Sequence, residues 1–196
     1  MKTCVLSDNE LVSKFVSGDQ SSLEILITRY RKQVYSYIVL LIKNQHLAED
    51  IFQDTFVKVI RSLHEGRYRD DGKFLAWVVR IAHNLVIDHF RREKQMNSVS
   101  NNEFGMDILN SKRFATKTIE DEIIHEQIEE DVRNLVDYLP EDQKEVLILR
   151  HYCGLSFKEI ADQTNVSINT ALGRMRYALI NLRKLVKEKN LILSIQ

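Results

Sequence analysis

The chain has 196 residues, and its 28 Lys and Arg residues balance 28 Asp and Glu residues, so the formal net charge is zero. Two cysteines, Cys4 and Cys153, are too few for a disulfide framework or a zinc cluster, and we expect both to be reduced thiols. The amino terminus lacks an apolar signal core, and the longest aliphatic run, Ile38 to Ile42, is far too short to span a bilayer. We therefore expect a cytoplasmic protein with no stable membrane insertion.

Helical periodicity dominates residues 1–95. Two residue pairs have the spacing of a capping box and each predicts the start of a helix: Ser7 with Glu10, and Ser21 with Glu24. Two further helices are predicted, one from about His46 to His64 and one from Phe74 toward Arg91, each with apolar residues at three-to-four spacing. Four helices with short loops are sufficient for a compact bundle, which we predict to be the first domain.

Periodicity fails over residues 96–118, which are polar and rich in Asn and Ser, so we predict a flexible linker there. A second helical domain is predicted over residues 119–196. Its front is acidic, since Ile119 to Glu145 holds eleven acidic and two basic residues. We find no strand alternation, and the predicted fold is therefore all-α, with two small helical domains joined by a flexible linker.

The last 60 residues have the order of elements that defines a helix-turn-helix domain. Pro140 fits the first turn of a helix, and Gly154 fits its end. Ser156 begins a second helix as part of a capping box, and Asn165 tolerates the left-handed conformation of a sharp turn. Ser167 then caps the final helix.

That final helix is amphipathic and basic. Ser167 to Lys189 contains six Lys or Arg residues and one Glu. The predicted apolar face comprises Ile168, Ala171, Met175, Ala178, Leu179, Leu182 and Val186, and the other face comprises Asn169, Thr170, Arg174, Arg176, Tyr177, Asn181, Arg183 and Lys184. An ordinary amphipathic helix with a solvated face has the same pattern. The preceding turn, and the concentration of positive charge in a neutral chain, favour a helix that enters DNA.

The third predicted helix carries a mostly acidic outer stripe opposite its apolar face: Glu49, Asp50, Gln53, Asp54 and Lys58. One interpretation is a solvated face. The other is a docking surface for a basic partner.

The start of the fourth predicted helix combines aromatic rings with cations and an amide. We expect Phe74 and Trp77 in the core, whereas Tyr68, in a polar loop, is a candidate for stacking on an unpaired base. The polar residues of this region include Arg67, Arg69, Arg80, Asn84, Arg91, Arg92 and Lys94. This combination suits single-stranded nucleic acid, because rings stack on bases while guanidinium groups follow phosphates.

No constellation of residues points to catalysis, and we expect no enzymatic activity, cofactor or metal site. His83, Asp88 and His89 are close in sequence, but their spacing on a helix does not converge on one face. A weaker alternative is a metal-dependent enzyme that uses Asp88 with one of these histidines.

Three segments, AEDIFQDTFVKVI, FLAWVVRIAHNLVIDHFRREK and LPEDQKEVLILRHYCGLSFKEIADQTNVSINTALGRMRYALINLRK, together resemble the extracytoplasmic-function (ECF) sigma factors of bacteria. The resemblance covers nearly the whole chain apart from the linker and the last residues. It implies an alternative sigma factor that binds core RNA polymerase and directs promoter recognition, promoter opening and transcription initiation. Region 2 of the family would correspond to residues 1–95 and region 4 to residues 119–196, and an anti-sigma factor is a further expected partner.

The resemblance also implies roles for individual residues. The expected polymerase-docking residues are Glu49, Asp50, Gln53 and Asp54; the expected −10 element residues are Tyr68, Arg69, Arg80, Asn84, Arg91 and Arg92; and the expected −35 element residues are Asn169, Thr170, Arg174, Arg176 and Tyr177. The chain departs from the usual family pattern at Asp54, where Glu is commoner. Leu172 and Gly173 stand where Lys and Ser are usual, so a promoter contact at these two positions stays open.

The principal alternative is a helix-turn-helix regulator whose first domain senses a signal or dimerises. Only a sigma factor requires a tight stoichiometric complex with core polymerase. A binding measurement with purified core polymerase therefore distinguishes these interpretations.

Overall fold

The computed structural model describes residues 6–69, 71–97 and 134–189, and side chains are described for all of these except residues 96 and 97. The helices are α1 (Asp8–Val16), α2 (Gln20–Ile42), α3 (Gln45–His64), α4 (Phe74–Asn97), α5 (Glu141–His151), α6 (Phe157–Thr164) and α7 (Ile168–Glu188). Within the described ranges there is no strand, so the predicted all-α class is confirmed. The predicted linker and the predicted start of the second domain lie almost wholly outside these ranges.

The first capping box forms as predicted, whereas the second prediction is wrong. Ser7 accepts a hydrogen bond from the Glu10 amide at 3.3 Å, and the Glu10 carboxylate accepts one from the Ser7 amide at 2.8 Å. Helix α2 is instead capped by Asp19, whose carboxylate accepts the backbone amide of Ser21 at 3.1 Å and its hydroxyl at 2.6 Å. A carboxylate at a helix amino terminus also benefits from the helix dipole, which favours Asp19 over a serine two residues later.

The next two helices follow their predictions closely. Helix α3 begins one residue earlier than predicted, because the Asn44 side chain accepts the Leu47 amide at 3.1 Å. Gly66, just past its end, has a φ of +66°, which glycine adopts at little cost. Helix α4 continues to Asn97, and the charged residues near its end are good helix formers.

Helices α1 to α4 form the first module around a continuous apolar core. Its largest fully buried side chains include Phe15, Leu26, Val34, Tyr37, Ile38, Val59 and Phe74. Burying each such side chain contributes about 1.5–3 kcal/mol. Asp8 fastens α1 to α2, since its carboxylate accepts hydrogen bonds from Arg29 and Tyr30.

Helices α5 to α7 form the second module, and they follow the predicted order of a helix-turn-helix domain. Ser156 and Glu159 make the predicted capping box, Asn165 is left-handed with a φ of +54°, and the Ser167 hydroxyl accepts the Thr170 amide at 3.1 Å. Pro140 is the N-cap of α5, with a ψ of 144°, and so precedes the first turn that it was expected to occupy.

The two modules pack against each other. One cluster of buried apolar residues runs from α1–α4 into the second module, where it includes Val146, Ile148, Leu149, Cys153, Leu155 and Ile160. Asp137 also joins the modules, since its carboxylate lies 2.6 Å from the buried ammonium of Lys144 and 3.1 Å from that of Lys43 on the first module. None of the helices described has the length and apolar character needed to cross a membrane.

Candidate functional site

The acidic stripe lies on the solvent-exposed side of α3. Glu49, Asp50, Gln53 and Asp54 are all exposed. Glu49 accepts a hydrogen bond from Gln45 at 3.4 Å and faces Tyr35, whose pKa is raised first by burial and then by this carboxylate. Among the described residues, none pairs with Asp50, Gln53 or Asp54 through a side chain, so these three groups point to solvent.

An apolar side chain outside the predicted set, Val57, completes this surface. Val57 follows Asp50 by seven positions and Asp54 by three, so all three lie on one face of α3. Val57 is 62% exposed, which makes it the most exposed aliphatic residue among the described large hydrophobic side chains. We use the term α3 surface for Glu49, Asp50, Gln53, Asp54 and Val57. An exposed apolar side chain next to charged groups on one helix face is typical of a protein-binding surface.

A preformed aromatic cluster lies at the start of α4. The Tyr68 ring lies 4.8 Å from the Trp77 ring and 5.6 Å from the Phe74 ring, and Phe74 is buried as predicted. Trp77 is half-buried, and Tyr68 packs against these rings and does not extend freely from its loop. Contacts among the three rings thus fix the positions of Tyr68 and Trp77, which together form an aromatic wall.

The predicted polar residues of α4 continue from this wall along one stripe. Arg80 and Asn84 are four positions apart, and Arg91 lies seven positions further, so the three side chains project from the same side of the helix. All three are exposed, as is Arg92 on a neighbouring face. Arg91 also lies 3.9 Å from the Asp88 carboxylate. We use the term α4 surface for Tyr68, Arg69, Trp77, Arg80 and Asn84.

A cleft of about 410 Å³ separates the start of the α4 surface from helix α6 of the second module. Its lining is basic and aromatic on one side and acidic on the other: Arg67, Tyr68, Arg69, Asp71, Lys73, Ala76, Trp77 and Arg80 face Glu159, Asp162 and Gln163. The structure thus brings three of the predicted −10 residues together, with the second module as the opposite wall.

Three polar contacts close this cleft at its edges. The Arg80 guanidinium donates to the backbone oxygen of Asp162 at 3.3 Å, and the buried Gln163 amide donates to the Val79 oxygen at 3.5 Å. The Lys73 ammonium lies 3.6 Å from the Glu159 carboxylate. Partial burial opposes ionisation of Glu159, but hydrogen bonds from Ser156 and the charge of Lys73 outweigh it, so the pKa of Glu159 is lowered.

His83 has a structural partner in each module. Its Nδ1 atom lies 2.9 Å from the Tyr37 hydroxyl and 3.0 Å from Oε1 of Glu145. Asp88 and His89 do not share this site, and His89 lies 3.8 Å from Glu93 instead. Within the described ranges, no three potential ligands converge on a metal position.

The recognition helix α7 exposes Asn169, Thr170, Arg176 and Tyr177, as the predicted −35 set requires. Arg174 differs, because its guanidinium lies 3.2 Å from the Asp142 carboxylate of α5 and its side chain is only 26% exposed. Asn181 likewise donates to Gln143 of α5 at 2.8 Å. Arg174 and Asn181 are seven positions apart and therefore lie on the same face of α7, which is the face that packs against α5.

The predicted apolar face of α7 is only partly buried. Ala171 and Ala178 are fully buried, whereas Ile168 and Leu179 are exposed. Leu172 is also exposed and therefore does not belong to the core. A side chain at Gly173 would meet nothing within 4 Å in the described part of the chain, so the fold itself does not require glycine there.

Comparison with known proteins decides the family. The model of Sigma-70 region 2 matches residues 26–96, and that of Sigma-70 region 4 matches residues 129–178. The chain is 29% identical to the RNA polymerase sigma-H factor of Pseudomonas aeruginosa over 176 residues, which cover 86% of this chain and 88% of the relative. It is 26% identical to the ECF RNA polymerase sigma-E factor of Haemophilus influenzae over 188 residues, 94% of this chain and 95% of the relative.

The chain belongs to the ECF sigma factors. As a sigma factor it binds RNA polymerase and directs transcription initiation at promoters, and it is not itself an enzyme. The fold is also that of a solved sigma factor, RpoE in complex with the anti-sigma factor NepR from Bartonella quintana. That chain superposes with a TM-score of 0.68 at 19% identity, over 84% of this chain and 96% of the other.

Proposed function

We propose that this sigma factor performs its three binding tasks with three separate helix faces. The α3 surface binds core RNA polymerase, the α4 surface binds the −10 element, and the exposed side of α7 binds the −35 element. The observation that carries this proposal is the separation of the sets: α3 and α4 present theirs from the first module, and α7 presents its own from the second.

The α3 surface suits a protein partner that carries basic groups. Its unpaired Asp50, Gln53 and Asp54 side chains lie on the same face of α3 as the exposed Val57, which stands at the carboxyl end of the set. Opposite charges steer encounter and fix the register of a complex, while a desolvated apolar centre contributes to affinity.

The α4 surface suits an unpaired DNA strand. Trp77 and Tyr68 offer ring faces and edges near the Arg69 and Arg80 guanidinium groups, and stacking contributes about 1–3 kcal/mol per base. Asn84 lies one helical turn from Arg80, and its amide can donate and accept at one base edge. These properties fit the strand of the −10 element that separates when the promoter opens.

Helix α7 suits the major groove of duplex DNA. Asn169 and Thr170 project from its first turn, which is the part of a recognition helix that contacts bases. Arg176 and Tyr177 extend the exposed face by two turns, and Arg183 and Lys184 add positive charge beyond them. Arginine can bind guanine through two hydrogen bonds, which discriminates between bases by about 1–3 kcal/mol.

An anti-sigma factor is the proposed regulator, and the cytoplasm, where polymerase and promoter DNA meet, is the proposed location. The solved Bartonella quintana sigma factor is bound to an anti-sigma factor, and it shares the fold of this chain. The proposed binding surfaces on α3, α4 and α7 are polar and exposed, so a second protein can bind over them and block their use.

Reconstituted transcription tests the assignment. Purified chain and core polymerase should form a stoichiometric complex and start transcripts at a promoter that core polymerase alone does not use. Asp50→Ala with Gln53→Ala should weaken complex formation, and Arg176→Ala should weaken promoter use without changing complex formation. If the chain binds duplex DNA specifically but forms no complex with core polymerase, the regulator interpretation replaces this one.

A further inference from the structure

Leu172 is an exposed apolar side chain beside the polar residues of α7. Its side chain is 44% exposed, whereas Ala171 and Ala178 of the same helix are fully buried. The core of the second module forms on the side of α7 that carries these two alanines. Packing within the chain therefore does not account for a leucine at position 172.

Leu172 lies in the second turn of α7, between two exposed residues proposed to bind DNA. Asn169 precedes it by three positions and Arg176 follows it by four, so the three side chains project from one side of the helix. Along the helix axis, Leu172 is about 4.5 Å from Asn169 and about 6 Å from Arg176. Since successive base pairs are about 3.4 Å apart, a helix that lies along the groove brings these side chains to neighbouring base pairs.

The residue after Leu172 leaves room for a close approach of the DNA. Gly173 has no side chain, and an added one would meet nothing within 4 Å in the described part of the chain. The backbone of this turn can therefore come nearer to the base edges than it can with the serine that is usual at this position. A close approach suits leucine, which is shorter than the lysine usual at position 172.

The major groove offers an aliphatic side chain one favourable partner. Base edges there present hydrogen-bond donors and acceptors, and their one apolar substituent is the 5-methyl group of thymine. Leucine forms no hydrogen bond, so against guanine or adenine it would deprive N7 of water without replacing the lost bond, which is unfavourable. Contact with a thymine methyl group instead removes apolar surface of both partners from water.

We propose that Leu172 is a specificity-determining residue of the −35 interaction and that it recognises the 5-methyl group of a thymine. The inference rests on the proposed function of α7 and deepens it. The preferred promoter of this sigma factor then carries a thymine next to the base pair that Asn169 contacts. Specificity at this position comes from an apolar contact, whereas a lysine would use its ammonium group.

Replacement of thymine by deoxyuridine tests this contact, because the two differ only by the 5-methyl group. Holoenzyme reconstituted from the full chain and core polymerase first selects its upstream element from duplexes that are randomised upstream of a preformed bubble. Each thymine of the selected element is then replaced singly by deoxyuridine, and the affinity of the holoenzyme for each duplex is measured by fluorescence anisotropy.

The matched control is Leu179→Ala. Leu179 is also an exposed leucine of α7, at 38%, and it lies about two turns beyond Leu172, farther from the end of the helix that contacts bases. One deoxyuridine should weaken wild-type and Leu179→Ala binding about three- to fourfold, the loss expected for one buried methyl group, and should leave Leu172→Ala binding almost unchanged. Circular dichroism should show equal helicity in all three proteins.

Leu172→Lys adds a second readout that a purely structural role would not change. Its ammonium group can donate to O6 and N7 of guanine, so selection with this variant should enrich guanine in place of the thymine. Enrichment of the same thymine by Leu172→Lys would overturn the inference.

The remaining outcomes separate this inference from the proposed function of α7. The inference alone is wrong if an upstream element is enriched but no deoxyuridine weakens wild-type binding, or if Leu172→Ala shows the same loss as the wild type. It is also wrong if Leu179→Ala abolishes the response to deoxyuridine as fully as Leu172→Ala does. If the wild-type holoenzyme enriches no upstream element, α7 does not bind a −35 sequence, and the proposed function of α7 fails together with the inference.

Discussion

His83 Nδ1 lies 3.0 Å from Oε1 of Glu145, and this pair links the helix that carries Asn84 to the second module. The same nitrogen lies 2.9 Å from the Tyr37 hydroxyl, so one imidazole joins α2, α4 and α5. The pKa of Tyr37 is raised well above its usual value, first by burial and then by the nearby Glu145 carboxylate, so the phenol stays neutral. His83, which links the two modules by these contacts, is thus the neighbour in sequence of Asn84, the residue proposed to bind a base.

The exposed Val57 of the α3 surface is expected to contribute an apolar contact to polymerase binding. Val57→Glu should weaken binding to core polymerase at least tenfold, because it places a charge where an interface excludes water. Val16→Glu on α1 is the control, since Val16 is also an exposed valine, at 51% against 62% for Val57. Quantitative pull-down or anisotropy with core polymerase measures both; equal binding by the two variants would show that Val57 is simply solvated.

Asn84 is expected to act on the separated strand and not on the duplex. Asn84→Ala should reduce open-complex formation on a duplex promoter several-fold and have less effect on a template with a preformed bubble. Asn169→Ala makes the same chemical change on α7 and should reduce duplex binding equally on both templates. Permanganate footprinting of the bubble measures the difference, and a wild-type footprint with Asn84→Ala would contradict the assignment.

The two arginines of α7 are expected to differ, although the sequence alone places both on the DNA-binding face. Arg176 is exposed, whereas Arg174 is paired with Asp142 at 3.2 Å. Arg176→Ala should therefore abolish most −35-dependent transcription, and Arg174→Ala should reduce it less. Binding at several salt concentrations adds a check, since loss of one phosphate contact lowers the salt slope by about one. Equal losses for both variants would mean that Arg174 leaves Asp142 to bind DNA.

Gly173 is expected to stabilise the promoter complex at a cost to the helix. Glycine inside a helix is about 0.5–1 kcal/mol less favourable than alanine, and an added methyl group would meet no atom of the described chain within 4 Å. Gly173→Ala should therefore raise the melting temperature while weakening −35 duplex binding at least threefold, because the methyl group holds DNA away from the backbone. A variant that gains both stability and affinity would show that Gly173 has no role in DNA approach.

The Cys153 thiol provides a measure of module contact. Burial raises the pKa of Cys153 to about 12, and its Sγ lies 4.0 Å from the Gln33 oxygen of α2. At pH 8 only about one molecule in ten thousand then carries the reactive thiolate, and the rate of alkylation should rise about tenfold per pH unit from pH 8 to pH 11. In a Cys4→Ser background, Glu145→Lys, which places a cation against His83 at the contact, should alkylate faster at pH 8 than Glu141→Lys, the same change of charge at an exposed position of α5. Equal rates would place the burial of Cys153 within its own module.

Local patterns predicted most helix boundaries because the stabilising groups are adjacent in sequence. Ser7 with Glu10 and Ser156 with Glu159 form capping boxes in the structure as they do in the pattern. The same pattern at Ser21 was wrong because Asp19, two residues earlier, is the better acceptor. Spacing alone does not rank two competing caps.

The site residues were predicted as sets, but their partners depend on tertiary contacts. The pairing of Arg174 with Asp142 joins residues 32 positions apart, and no periodicity encodes it. Val57 was detectable in principle, since an aliphatic residue seven positions after Asp50 interrupts a polar stripe. The contact between modules was not, because His83, Glu145 and Gln163 have the composition of a solvated surface.

Asp137 determines what happens to buried charge when the modules part. Its carboxylate is shared by Lys144 of its own module and Lys43 of the other, and Lys144 is the buried member. Separation removes Lys43 to water but leaves Lys144 with its counter-ion, so no ammonium group is stranded in an apolar environment. The apolar residues that the two modules bury against each other hold them together, and the free energy of that burial depends little on ionic strength, so the Lys43–Asp137 pair is the part of the contact that salt weakens.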